Sequence, residues 1–280
     1  MSERITFIGG GNMASAIIAG LILQGRQPQS IDVVDTSAEA RDRLKTSFGI
    51  QAQAQAGDFL TDTALVVWAV KPQSFAEAVI SVAPFTQSAL HLSVAAGIRS
   101  GNIAQWLGTE RVVRAMPNTP ALIGKGVTGL FARAEVTPDD KATIEKMIAT
   151  TGEYLWFDEE TQLDVVTALS GSGPDYVFYF MEAMVTAGTE MGLSREQAHQ
   201  LTVATFCGAS ALAKASTDPI QTLRQHVTSK GGTTHAAISA MENDDVRALF
   251  IEAMYAARQR AQSMGEEFVT AHPTGLQNQA

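Results

Sequence analysis

Arg4-Ile5-Thr6-Phe7-Ile8-Gly9-Gly10-Gly11-Asn12-Met13-Ala14 decides the fold. Five residues of strand character run into three glycines, and a helical stretch, Met13–Gln24, follows at once. Gly9 through Ala14 fits G-x-G-x-x-A. In such a turn the first glycine allows the tight bend, the second lets backbone approach a pyrophosphate, and the small third residue lets helix and strand pack closely. The N-terminus of the helix then offers N–H groups to phosphates. Gly9, Gly11, Asn12 and Met13 are therefore candidate cofactor-binding residues.

Outward from that turn, strand-like and helix-like segments alternate. Ser30–Val34 reads as a second strand and Ala38–Phe48 as a charged helix. Ala64–Val70 and Ala89–Ala95 are continuous apolar runs, as expected of strands covered on both faces. Arg111–Ala115 and Val127–Phe131 read as two more. Such alternation implies right-handed crossovers and a mostly parallel, Rossmann-like α/β sheet. In that fold the ligand lies outside the carboxyl ends of the strands. The residues following those ends are then the ones to examine: Asp35 and Thr36, then Ala69, Val70, Lys71 and Pro72, then Ala95, then Asn118. Asp35, 24 residues past Gly11, is placed to hold an adenosine ribose and favour NAD, or simply to cap the next helix. Thr36, Ser37 and Arg41 offset that preference by offering contacts to the extra phosphate of NADP. Asn118 sits in the stiff loop Met116-Pro117-Asn118-Thr119-Pro120.

The second half carries no strand pattern from about Asp158 onward. Residues 1–157 are expected to form the dinucleotide-binding domain and 158–280 an all-α domain. Pro174 suits a first helical turn, Ser194-Arg195-Glu196-Gln197 resembles a capping box, and Asp218-Pro219 pairs a cap with a proline. The last long helix places Val246, Leu249, Phe250, Ala253 and Ala257 at helical spacing, and the tail after Gly265 reads as frayed. The stretch Tyr176–Val185 is apolar on every face, and Ala204, Gly208, Ala211 and Ala215 make a small-residue stripe. A helical domain of this size has too little chain to cover both, so a homodimer through the helical domain is expected. Val227-Thr228-Ser229-Lys230-Gly231-Gly232-Thr233-Thr234 opens the helix that starts near Thr234. Its N–H groups and the hydroxyls of Ser229, Thr233 and Thr234 make a compact anion site suited to a carboxylate.

Composition narrows the chemistry. The chain of 280 residues carries 20 basic and 29 acidic residues, a net charge of −9, which disfavours nucleic acid as a partner. Its one cysteine, Cys207, excludes an internal disulfide and a cysteine-rich zinc site, and the five histidines form no metal-binding pattern. No metal is expected. No apolar run approaches the roughly 20 residues that span a bilayer, and no targeting segment is recognised, so a cytoplasmic protein is expected. The lysines past residue 150 are Lys214 and Lys230. Neither is an obvious catalytic lysine for a hydroxy-acid dehydrogenase, whereas a protonated C=N bond is already electrophilic and needs mainly positioning. The residues alone thus indicate a dinucleotide-dependent reductase of a small anionic substrate. A related imine or hydroxy-acid oxidoreductase and a non-catalytic NAD(P)-binding regulator remain alternatives.

Six segments, in this order and spacing, resemble the pyrroline-5-carboxylate reductases: Phe7–Met13, Ala69-Val70-Lys71-Pro72-Gln73, Ala95-Ala96-Gly97, Arg114–Pro120, Ser170-Gly171-Ser172-Gly173-Pro174 and Val227–Thr234. The resemblance runs from Ile5 to about Met264. It implies reduction of 1-pyrroline-5-carboxylate to L-proline, the last step of proline biosynthesis, by NADPH or NADH. It implies that Gly9, Gly11, Asn12 and Met13 bind the cofactor phosphates, and that Ala69, Val70, Lys71, Pro72, Ala95 and Asn118 line its nicotinamide half. It implies that Ser229, Gly231, Gly232 and Thr233 hold the substrate carboxylate. Thr234 would hydrogen-bond the ring nitrogen and donate or relay its proton. It further implies an interleaved dimer with substrate at its interface, assembled into a decamer in some members. Two positions depart from the family pattern. Lys230 stands where a proline is usual, and Asp175 stands where a small residue is usual; at a first helical turn the acid is favourable.

Overall fold

The computed structural model describes Arg4–Glu267. In chain order it contains β1 (Arg4–Ile8), α1 (Asn12–Leu23), β2 (Ile31–Val34), α2 (Ala38–Phe48), β3 (Thr63–Trp68) and α3 (Pro72–Val82). Next come β4 (Leu90–Ser93), α4 (Ser100–Leu107), β5 (Val112–Met116), β6 (Gly126–Ala132), α5 (Pro138–Ile148) and β7 (Gly152–Trp156). Helices follow: α6 (Gln162–Val166), α7 (Gly173–Glu190), α8 (Arg195–Ala215), α9 (Ile220–His226), α10 (Thr233–Asn243) and α11 (Val246–Glu267).

The strands form one sheet in the order β2-β1-β3-β4-β5-β6-β7. The first five are mutually parallel. Alternation sorts their side chains onto two cores. Ile5, Phe7, Val33, Leu65, Val67 and Leu92 face a layer with α1, α2 and α5. Ile8, Val34, Val66 and Trp68 face a layer with Phe75 and Val79 of α3 and Ile103 and Leu107 of α4. Burial on both faces is why these strands read as unbroken apolar runs.

Two features depart from a uniform parallel pattern. β6 runs antiparallel to β5. The link 117–125 holds only a short 3₁₀ segment, Thr119–Ile123, and a parallel return needs a longer crossover. β7, absent from the sequence reading, pairs in parallel with β6 at the sheet edge after the α5 crossover. It starts at Gly152, whose φ of +140° excludes most side chains and whose Cα lies against the Gly126 backbone.

The described chain falls into two compact units divided at Ser172/Gly173, and the end of α11 from Ala257 belongs to the first. This division lies 15 residues beyond Phe157, the boundary expected from the sequence. The stretch after Phe157 groups with the sheet because α6 lies hard on β6. A Cβ on Gly129 would stand 2.9 Å from Val166 and 3.0 Å from Leu163. Gly97 and Gly265 likewise let α11 close on the β4–α4 loop, against Met264 and Arg99 respectively.

The second unit is helical. Gly188 allows α7 to approach Ala198 of α8, and Ser194 and Gln197 form the reciprocal capping box. Tyr176 and Phe180 of α7 stack edge-on against Phe250. Helix α9 opens at Ile220 with Pro219 as its N-cap, one residue later than the Asp218-Pro219 reading. Helix α11 stays helical to Glu267, past the point expected to fray; the remainder of that tail lies outside the described residues. Phe178 and Tyr179 are 59% and 71% exposed in the single chain, so the apolar face of α7 meets solvent unless a partner covers it.

Candidate active site

In the first unit, β1 to β5 all end on one edge of the sheet. Ile8 pairs with Val34 and Trp68, and Trp68 pairs with Ser93. Parallel hydrogen bonds then carry the chain past those ends: Gly9 N–H donates to the Val34 carbonyl at 2.8 Å, Ala69 N–H to Ile8 at 2.8 Å and Val94 N–H to Trp68 at 3.0 Å. The expected residues Gly9, Gly11, Asn12, Met13, Asp35, Thr36, Ala69, Val70, Lys71, Pro72, Ala95 and Asn118 all follow these ends. The fold therefore gathers them along one rim.

The glycine turn divides its labour. Gly9, at φ +95°, faces the Ala69 carbonyl oxygen, which an added Cβ would approach to 2.6 Å. It exists for the crossing of two strands. Gly11 has an ordinary extended conformation, and a Cβ there would meet nothing within 4 Å. The space over Gly11 is a cradle that a side chain would fill. No side chain caps α1, whose first N–H groups remain open to an anion. This is the donor set a pyrophosphate requires.

Asp35 is engaged by its own backbone surroundings. Its Oδ2 accepts from Gly10 N–H at 2.6 Å and its Oδ1 from Ser37 N–H at 2.8 Å. Asp35 thus braces the glycine loop and the turn into α2, but it does not cap that helix: the N-cap is Ser37, whose side chain accepts from Ala40 N–H. Two guanidinium groups flank Asp35. Arg41 donates to the carbonyls of Asp35 and Thr36 at 2.8 and 2.9 Å, and Arg43 to that of Gly10 at 2.9 Å. Arg43 escaped the sequence reading; a cation in the helix after Asp35 was its only signal.

Asn118 is buried, and both ends of its amide are occupied. Its Oδ1 accepts from Val127 N–H at 2.9 Å, and its Nδ2 donates to the Ser170 carbonyl at 3.1 Å. It staples the β5 loop to β6 and to the π-helical turn Thr167–Gly171. Such turns are rare and cluster at functional sites. Lys71 is exposed and serves as the N-cap residue of α3 without a side-chain bond.

In the second unit, Ser229 through Gly232 form a tight turn, with Gly232 N–H donating to the Ser229 carbonyl at 3.0 Å. A Cβ on Gly232 would come 2.7 Å from the Ser229 hydroxyl, so glycine is needed for that hydroxyl to lie over the turn. Gly231 takes φ +77°. Helix α10 begins at Thr233 with Gly232 as N-cap and no side-chain cap. Ser229, Thr233 and Thr234 are exposed. The turn and the helix start that follows it thus present open N–H groups and three exposed hydroxyl-bearing residues. Among the described residues, no cluster of three or more metal-ligating side chains occurs.

Comparison with known proteins gives the rim and the loop a common context. The pyrroline-5-carboxylate reductase of Pseudomonas aeruginosa is 41% identical over 268 residues, covering 95% of this chain and 98% of that one. The chain belongs to the pyrroline-5-carboxylate reductase family. A family described as pyrroline-5-carboxylate reductase dimerisation matches residues 160–264, and one described as NADP oxidoreductase, coenzyme F420-dependent, matches residues 4–97. The solved structure of a pyrroline-5-carboxylate reductase from Coxiella burnetii superposes with a TM-score of 0.86 at 38% identity, covering 94% of this chain and 99% of that one. A Plasmodium falciparum pyrroline carboxylate reductase with NADP bound superposes with a TM-score of 0.85 at 27% identity, covering 94% and 98%. Membership in the reductase family agrees with the resemblance carried by the six sequence segments.

A buried charge network that no sequence motif announces lies in the first unit. Arg114 of β5 is 2% exposed and Asp164 of α6 is 1% exposed. Arg114 Nη1 donates to Glu160 Oε1 at 3.0 Å and Arg99 Nη2 to Asp164 Oδ2 at 2.7 Å. Burial pushes the Arg114 guanidinium below its ordinary value, and the Glu160 carboxylate partly restores it. The partners lie far apart in sequence, so no local spacing announces them.

Proposed function

We propose that the chain reduces 1-pyrroline-5-carboxylate to L-proline. A hydride adds to the carbon of the ring C=N bond, the π electrons pass to nitrogen, and nitrogen ends as a secondary amine with one proton delivered. The observation that carries the reading is family membership over 95% of the chain, combined with a glycine cradle and an uncapped helix N-terminus beside hydroxyls. NADPH supplies the hydride when bound. The N–H groups at Gly11, Asn12 and Met13 hold its phosphates, and Gly9 keeps the turn tight. Ala69, Val70, Lys71, Pro72, Ala95 and Asn118 shape the nicotinamide half. Ser229, Gly231, Gly232 and Thr233 hold the substrate carboxylate. Thr234 hydrogen-bonds the ring nitrogen and relays its proton.

NADPH is the preferred donor in this reading. Asp35 already satisfies two backbone N–H groups, and Arg41 beside Thr36 and Arg43 at the Gly10 carbonyl supply positive charge for an extra phosphate. The purified protein is assayed with pyrroline-5-carboxylate while oxidation of NADPH and NADH is followed in parallel. Turnover favouring NADPH supports both parts. Turnover with NADH alone keeps the reaction and makes Asp35 the selector. Absence of turnover with either overturns the reading. Thr234→Ala is expected to lower kcat roughly tenfold, the worth of one hydrogen bond to a charged group. Unchanged kcat would remove Thr234 from the mechanism.

The active form is a homodimer through the helical unit, alone or assembled further into a decamer. The exposed apolar face of α7 and the match to a dimerisation family support this. Native mass spectrometry is expected to show even multiples of the 29.8 kDa chain, and a monomer alone would overturn it. Among the described residues no helix is long and apolar enough to cross a membrane, and we place the reaction in the cytoplasm.

A further inference from the structure

Helix α4 begins directly after the loop Val94–Arg99, which carries Ala95. Its N-cap residue is Arg99, no side chain of its own segment caps it, and its first turn holds no acid. The cap comes from far along the chain. Glu160 Oε1 accepts from Ser100 N–H at 2.6 Å, and Oε2 accepts from the Ser100 hydroxyl at 2.7 Å. Ser100 is fully buried. The same Oε1 takes Arg114 Nη1 at 3.0 Å, and the neighbouring Arg99–Asp164 pair closes at 2.7 Å. At its front the loop is fixed by Val94 N–H on the Trp68 carbonyl and by Ala95 N–H on Ser93 Oγ. The far end of the Glu160 segment holds Asn118 through the Ser170 carbonyl at 3.1 Å.

A helix of this length needs only a local serine or aspartate for its cap. A distant carboxylate, neutralised by a buried arginine, does more. It refers the β4 loop and the β5 loop to one element, residues 160–170. We propose that Glu160 is a positioning residue for the nicotinamide half of the cofactor site, acting through Ser100 on the loop that bears Ala95. The proposal rests on the reductase reading above.

Three variants separate this role from simple stabilisation. Glu160→Ala removes the acceptors. Glu160→Gln keeps an oxygen for Ser100 N–H but leaves Arg114 without its counter-charge. Arg114→Met combined with Glu160→Ala removes both charges, a change buried ion pairs often tolerate. This last variant carries the test if Glu160→Ala fails to fold. Misplacement of a reacting group lowers rate steeply. The acceptor-less variants are therefore expected to lose about tenfold in kcat, while affinity for 2′,5′-ADP, the adenine half of the donor, stays within about twofold. Glu160→Gln is expected to lower Tm yet keep kcat within about threefold of the parent. Amide hydrogen exchange over residues 94–103 is expected to quicken in the acceptor-less variants and not in Glu160→Gln. Parent-like kcat without the acceptor, a parallel loss in both kinds of variant, or unchanged exchange would overturn the proposal. A parent that does not reduce pyrroline-5-carboxylate would overturn the reductase reading instead, and the exchange measurement would still judge Glu160.

Discussion

Gly11→Val is expected to fold like the parent and to bind NADPH at least about a hundredfold more weakly. Gly11 takes φ −71° and ψ −170°, a conformation valine adopts without strain. Nothing of the protein lies within 4 Å of a Cβ placed there. Tm therefore stays level or rises slightly, since valine restricts the unfolded chain more than glycine does. The branched side chain instead fills the cradle and holds a pyrophosphate off the N–H groups of α1. Two charge-assisted hydrogen bonds at about 1.5 kcal/mol each amount to about 3 kcal/mol, or a factor of about 100 in affinity. Gly9→Ala provides the contrast. Its Cβ would press to 2.6 Å on the Ala69 carbonyl oxygen at φ +95°, so its cost falls on the fold, at about 2 kcal/mol or more. Thermal unfolding and NADPH fluorescence titration, run on both variants, read the two effects separately. Parent-like affinity in Gly11→Val would place the dinucleotide elsewhere.

That division between two glycines of one turn also marks how far sequence alone reaches. The turn, the five parallel strands and the rim residues were legible because both-face burial writes unbroken apolar runs and the glycine spacing is local. The capping box at Ser194–Gln197 and the opening of α10 were legible for the same reason: their signals lie within a few residues. β7 was not. It is an edge strand with alternating half-buried and exposed positions, and its first residue is a glycine required by a crossing with Gly126. The antiparallel entry of β6 was hidden because direction depends on link length, not on strand composition. Glu160 and Arg114 were invisible because their meaning arises only when residues separated by 46 positions are brought to 3.0 Å. Asn118 was singled out from its stiff loop, but its two backbone partners could not be named in advance. Motifs announce what the backbone must do locally; long-range charge placement is announced by nothing short of the fold.

His91 makes a second large expectation, in acid. It lies in β4 at 1% exposure. Trp68 Nε1–H donates to His91 Nδ1 at 3.1 Å. An indole N–H only donates, so Nδ1 carries no proton in this arrangement, and protonating it would set two donors against each other. Burial is the main force holding the imidazole neutral, Arg111 adds to it, the Thr86 backbone offsets part, and the pKa falls from 6.5 to about 4. The sign follows from linkage. The unfolded chain takes up a proton near pH 6.5 and the folded chain only near pH 4. Stability is therefore complete above about pH 6.5 and is lost as pH falls through that window, by about 3 kcal/mol in all. His91→Phe removes the titrating group and leaves Trp68 without its acceptor, a cost of about 1 kcal/mol that does not vary with pH. Urea unfolding at pH 7.5 and pH 4.5 is expected to show the parent losing about 2 to 3 kcal/mol more than the variant between the two conditions. Equal losses would mean that His91 is protonated in the fold or already released from Trp68 before the chain unfolds.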